Sequence, residues 1–108
     1  MPNTGAGISI FGGAQSNIIG GATAASRNVI SGNMFQGITI SDSGTKSNQV
    51  FFNYIGLNAA GTAAIPNQSS GIDIFNAATS NMIGDVGKGN VISGNNFQGV
   101  TISNTGTK

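Results

Sequence analysis

Residues 27–41 read RNVISGNMFQGITIS and residues 89–103 read GNVISGNNFQGVTIS, with twelve of fifteen positions identical at an offset of 62. In each copy the segments Gly37-Ile38-Thr39-Ile40 and Gly99-Val100-Thr101-Ile102 alternate apolar and small polar residues, the period of a half-buried strand. The preceding Asn-Val-Ile-Ser-Gly-Asn is a short apolar run bracketed by turn formers. The stretch predicts two strands and the corner between them, and its recurrence marks an internal duplication.

Outward from these copies the duplication reaches both termini. Pro2-Asn3 followed by Gly7-Ile8-Ser9-Ile10 returns as Pro66-Asn67 followed by Gly71-Ile72-Asp73-Ile74 at an offset of 64, and Gly44-Thr45-Lys46 returns as Gly106-Thr107-Lys108. A finer period lies inside this unit, because Gly-(Ile/Val)-x-Ile opens at Gly7, Gly37, Gly71 and Gly99. Each opening is followed by Ser-Asn-x-(Ile/Val) at Ser16, Ser47 and Ser80, and then by Asn28, Asn53 and Asn90 ahead of a second short apolar pair. A corner asparagine is expected at Asn33, Asn58 and Asn95. Length differences fall in insertions at 20–27, 59–70 and 84–89, leaving a coil core of about 22 residues, within the range of solenoid repeats. The chain is expected to be a single segment, 1–108, with coils starting near 7, 37, 71 and 99.

Stacked in parallel, equivalent residues of successive coils lie about 4.8 Å apart and form columns. Ile8, Ile38, Ile72 and Val100 make one inward column, and Ile10, Ile40, Ile74 and Ile102 another, with Ser9, Thr39, Asp73 and Thr101 pointing outward between them. Further inward columns run through Ile19, Val50 and Ile83 and through Ile30, Ile55 and Ile92. Two residues before each lies an asparagine, at Asn17, Asn48 and Asn81 and at Asn28, Asn53 and Asn90, so stacked amides are expected to pair from coil to coil. An antiparallel meander would need tight turns of the Asn-Gly or Asp-Gly kind, and neither dipeptide occurs. The expected class is all-β: a parallel β-helix, or solenoid, of about 3.5 coils with three short strands per coil.

NVISGNMFQGITI, NVISGNNFQGVTI and NYIGLNAAGTAAIPN resemble right-handed parallel β-helix proteins of the pectate-lyase-like superfold, specifically the NVISGN-type repeats of large bacterial surface and secreted proteins. The resemblance covers almost the whole chain. It implies right-handed winding, three sheets and internal asparagine stacks, and an extracellular or cell-surface location. It implies little about activity, because such repeats are a scaffold for many functions.

Composition narrows the chemistry. Four basic and three acidic residues give a net charge of +1, without the basic footprint of nucleic-acid binding, and no run reaches membrane-spanning length, so neither nucleic acid nor membrane insertion is expected. The first residues lack a signal-peptide pattern, so any export signal is expected outside this stretch. There is no Cys and no His. The acids Asp42, Asp73 and Asp85 fall at a corner, an outward strand position and an inserted loop, a poor fit to the spacing of about 5 to 10 Å that paired-carboxylate hydrolysis needs. No cofactor, no metal site and no catalytic residue are expected. The sequon Asn67-Gln68-Ser69 is read as fortuitous.

The candidate ligand surface is Phe75 and Asp73 with Arg27 or Lys88, the two cations lying in equivalent loops. Phe11, Phe35, Phe75 and Phe97 recur in pairs and are expected to pack in the core or over corners, although aromatics on alternate coils can also stack on sugar rings. Neither end has an obvious cap. Three functions follow as expectations: a non-catalytic structural module whose partners are further repeats of a longer chain or other copies stacked end to end; a carbohydrate-binding or carbohydrate-active β-helix; and a flat Ser/Thr surface for ice or a protein.

Overall fold

The computed structural model describes residues 2–108; Met1, with which the expected segment begins, lies outside them. The backbone winds through three short strands per coil. The first coil holds β1 (Ile8–Ile10), β2 (Ile18–Gly20) and β3 (Val29–Ile30), and the second β4 (Ile38–Ser41), β5 (Gln49–Phe51) and β6 (Tyr54–Ile55). The third holds β7 (Ile72–Phe75), β8 (Met82–Ile83) and β9 (Val91–Ile92), and β10 (Val100–Ile102) begins a fourth. Strands of successive coils pair in parallel into a four-stranded sheet, β1-β4-β7-β10, and two three-stranded sheets, β2-β5-β8 and β3-β6-β9. The chain is thus an all-β parallel solenoid of about three turns, its only helical element a single 3-10 turn at Ala24–Ser26 among the described residues.

Register follows the columns expected from the sequence. Ile8, Ile38, Ile72 and Val100 pair in succession, as do Ile10, Ile40, Ile74 and Ile102, Ile19, Val50 and Ile83, and Ile30, Ile55 and Ile92. β-Branched residues fill a strand at low conformational cost and stack flank to flank between coils. The central rungs Ile38, Ile40, Val50, Ile55 and Ile72 are fully buried. The last rung is the wettest, with Val100 41% and Ile102 59% exposed.

An amide ladder runs up each of the three corners. Asn17, Asn48 and Asn81 form the first and Asn28, Asn53 and Asn90 the second, as expected, with side-chain amide bonds of 2.9 to 3.1 Å between rungs. The third ladder corrects the sequence reading. It runs Asn3, Asn33, Asn67, Asn95 with amide bonds of 3.0, 2.8 and 2.8 Å, and Asn58 is not in it. Asn58 instead turns a small hairpin, its Oδ1 accepting from the Thr62 and Ala63 N–H groups, while an antiparallel bridge joins Leu57 to Ala64 and the Ile65 N–H donates to the Gly56 carbonyl. The insertion therefore ends before Asn67 rather than at Ser70, and residues 67–70 return to the stack. Asn67 is fully buried and both hydrogens of its amide are engaged, so the sequon cannot serve as a glycosylation acceptor in the folded chain.

Glycines tighten the corners. A Cβ on Gly37 would stand 2.6 Å from the Gly71 carbonyl oxygen and 2.8 Å from Ile55, and one on Gly20, where φ is +97°, would stand 1.9 Å from the Phe51 carbonyl. Only hydrogen fits at these positions without parting the coils.

Candidate functional site

The four-stranded sheet presents the most regular outward face. Its central column is Ser9, Thr39, Asp73 and Thr101, set in register by the backbone ladder. Thr39 Oγ1 donates to Ser9 Oγ at 3.0 Å, and Ser70 Oγ lies 3.0 Å from Thr101 Oγ1. The Gln36 amide donates to Asp73 Oδ2 at 3.3 Å, but Asp73 Oδ1 is buried and accepts nothing. A buried carboxylate oxygen without a donor is costly, and Asp73 Oδ1 is the one buried side-chain oxygen or nitrogen among the described residues left in that state.

Phenylalanines mark both rims in alternation. Phe75 lies opposite Ser41, and continuing the register by one residue places Phe11 on the same rim one coil before Ser41. On the other rim Phe35, Ser69 and Phe97 stack through backbone bonds of 3.3 Å. The expectation that these rings pack into the core or over corners is overturned for three of them: Phe11, Phe35 and Phe97 are 62%, 56% and 69% exposed, whereas Phe75 is half-buried. Each stands next to or within three residues of a strand of the four-stranded sheet. Rings on one rim repeat every second coil, about 10 Å apart.

The candidate residues divide between two places. Asp73 and Phe75 lie together on the outward side of β7, whereas Arg27 and Lys88 lie at the corner between the other two sheets. There the Arg27 Nε donates to the Phe52 carbonyl at 3.1 Å and its guanidinium lies 4.0 Å from the Tyr54 ring centre. Lys88 Nζ lies 5.1 Å from the Phe51 ring centre. The loops carrying these cations thus fold back from the first and third coils onto the aromatics of the second. Phe51 is only 4% exposed although it points away from the core, being flanked by Gly21, Ala22 and Lys88. No single groove joins all four candidates.

The acids are equally dispersed. Asp42 Oδ2 accepts from the Gly12 N–H at 3.1 Å at one corner, Asp73 stands on β7, and Asp85 turns its own loop by accepting from the Val86 N–H. Among the described residues no three His, Cys, Asp or Glu side chains converge.

The ends of the stack form a second candidate surface. At the first coil an open depression of about 270 Å³ is lined by Asn3, Ile8, Asn28, Val29, Ile30 and Asn33. At the last coil the four-stranded sheet stands one strand beyond its neighbours, leaving a stepped edge. Neither the exposed rings nor the orphaned Asp73 oxygen follows from parity, since parity assigns a side and not what covers it. Comparison with family models, with curated proteins and with solved structures gives no match for the chain.

Proposed function

We propose that the chain is a structural module, a stiff, non-catalytic segment of β-solenoid whose stacking continues onto further coils at its ends. The observation that carries this reading is the repeated cross-section: aliphatic columns and three amide ladders run from coil to coil, with Ile38, Ile40, Val50, Ile55 and Ile72 fully buried, while the three acids stay dispersed and gather into no cluster. Each inner coil is covered by another of the same cross-section, the condition for stacking to continue. The resemblance of the NVISGN segments supports a place among right-handed pectate-lyase-like repeats of secreted or surface proteins, where such a segment supplies length and protease resistance. Further repeats, or other copies of the chain, are its partners.

The test is a covalent tandem of two copies. Stacked coils stabilise one another through nearest-neighbour contacts, so the tandem is expected to unfold in a single transition at a higher urea midpoint than one copy and to scatter as one elongated particle. Two independent transitions at the single-copy midpoint refute continuation.

A second reading rests on the exposed rings. Phe11, Phe35 and Phe97 beside a row of hydroxyls suit the apolar faces and polar edges of sugar rings. Binding on a glycan array that is lost in Phe75→Ala but kept in Lys88→Ala would favour the four-stranded sheet as the binding face; the reverse would move it to the Arg27/Lys88 corner. No binding removes this reading.

A further inference from the structure

Two inserted loops overhang one corner of the stack. Between β2 and β3 the chain spends residues 21–28, and between β8 and β9 residues 84–90, but between β5 and β6 only residues 52–53. The second coil is therefore recessed at this corner, with a loop of the first coil on one side and a loop of the third on the other. Levels two coils apart stand about 10 Å from each other. A cleft of about 170 Å³ opens there, lined by Ile18, Gly21 and Ala22 of the first coil, Gln49 and Phe51 of the second and Lys88 of the third. It lies on the flank of the stack, so it depends on how adjacent coils are decorated and not on where the stack stops.

Most of the lining is apolar. Ile18 is 60% exposed, pairs with Gln49 in the register, and is joined by Ala22 and the Phe51 ring. The polar side chains are the Gln49 amide and the Lys88 ammonium, and among the described residues no carboxylate lines the cleft. The three acids are engaged elsewhere: Asp42 with the Gly12 N–H, Asp73 with the Gln36 amide, and Asp85 with the Val86 N–H of its own loop. Lys88 is left with an aromatic partner, its Nζ 5.1 Å from the Phe51 ring centre. That contact is weaker than the charge-assisted hydrogen bond an ammonium makes with a carboxylate. The loop holds Lys88 in place, since its N–H donates to the Asp85 carbonyl at 2.9 Å. A cation is thus fixed at the edge of an apolar recess.

We propose that this cleft binds a small carboxylic acid with an apolar body, the carboxylate taken by Lys88 Nζ and the Gln49 amide and the body laid against Ile18, Ala22 and Phe51. An apolar cavity of about 150 Å³ accepts a benzene ring, so a ring with a short carboxylate arm suits this volume. A sugar acid suits it poorly, because its hydroxyls would face carbon rather than hydrogen-bond partners. Arg27 has other work: its Nε donates to the Phe52 carbonyl and its guanidinium lies over Tyr54. A structural solenoid can carry such a site, because loops and outward side chains build it and the core columns beneath are untouched.

Phenylacetate is the probe, and phenylacetamide, alike in shape but uncharged, is the control. In titrations of the unaltered chain followed by NMR, phenylacetate is expected to shift residues 18–22, 49–51 and 88, and the amide to bind at least about tenfold more weakly. Lys88→Met keeps an aliphatic stem over Phe51 and removes the charge. It should lower phenylacetate affinity about tenfold or more and leave the amide unchanged, with Lys88→Gln as the second version if circular dichroism shows a disturbed fold. Ala22→Leu fills the recess and should abolish binding of both compounds. Lys46→Met, at the corner between β4 and β5, should affect neither. Equal affinity for acid and amide, or a loss in Lys88→Met no larger than in Lys46→Met, would overturn the carboxylate assignment. Undiminished binding by Ala22→Leu would overturn the cleft as its place. No shift with phenylacetate at about 10 mM would overturn the site itself, since a ligand of this size in a fitted cleft binds more tightly than that.

Discussion

Asn33 Nδ2 donates to Asn67 Oδ1 at 2.8 Å, joining two amides that lie 34 residues apart in the chain and fall in consecutive coils. Asn67 also receives the Asn33 backbone N–H, donates to Asn95 and to the Ile30 carbonyl, and is fully buried. Removing its side chain strands groups on the coils either side of it. Asn67→Ala is expected to lower stability by about 2 to 4 kcal/mol, because buried partners are left unpaired rather than returned to water. Asn58→Ala, which only loosens an exposed hairpin turn, should cost less than about 1 kcal/mol. Urea midpoints of the two variants measure the difference, and equal effects would mean that Asn67 does not belong to the ladder.

Gly37 is needed for closeness rather than for an unusual backbone angle. Its missing Cβ would stand 2.6 Å from the Gly71 carbonyl, a backbone atom that cannot turn aside. Gly37→Ala should therefore force two coils apart and lower stability by about 1 to 3 kcal/mol, as overpacking does. Gly89→Ala, with nothing within 4 Å, should be close to neutral. Thermal midpoints of the pair separate packing from loss of glycine flexibility, since the second change removes flexibility alone.

The strands and their columns were legible because two periods agree: alternation within a strand assigns the side, and recurrence at coil length assigns the partner. Ile38 and Ile72 satisfy both, and they pair as expected. The third ladder was harder. Asn58 and Asn67 are both polar residues after an apolar run, and only closure of the hairpin at Gly56 and Ile65 decides which re-enters the stack. The match of Pro66-Asn67 to Pro2-Asn3 carried that signal, since Asn3 is itself the first rung of the ladder. Exposure of the rings was not legible, because outward residues differ only in which loops lie across them. Phe51 has Gly21, Ala22 and Lys88 beside it and is 4% exposed, whereas Phe97 is 69% exposed.

That contrast gives a direct comparison. Phe51 and Phe97 both lie outside the aliphatic core, yet they are 4% and 69% exposed. Phe51→Ala opens a void beneath the first- and third-coil loops and leaves Lys88 without its ring, and is expected to cost about 3 kcal/mol or more. Phe97→Ala should change stability by less than about 1 kcal/mol. Similar losses for both would show that Phe97 is covered in solution, and sedimentation of the unaltered chain would then identify a neighbouring copy as the cover.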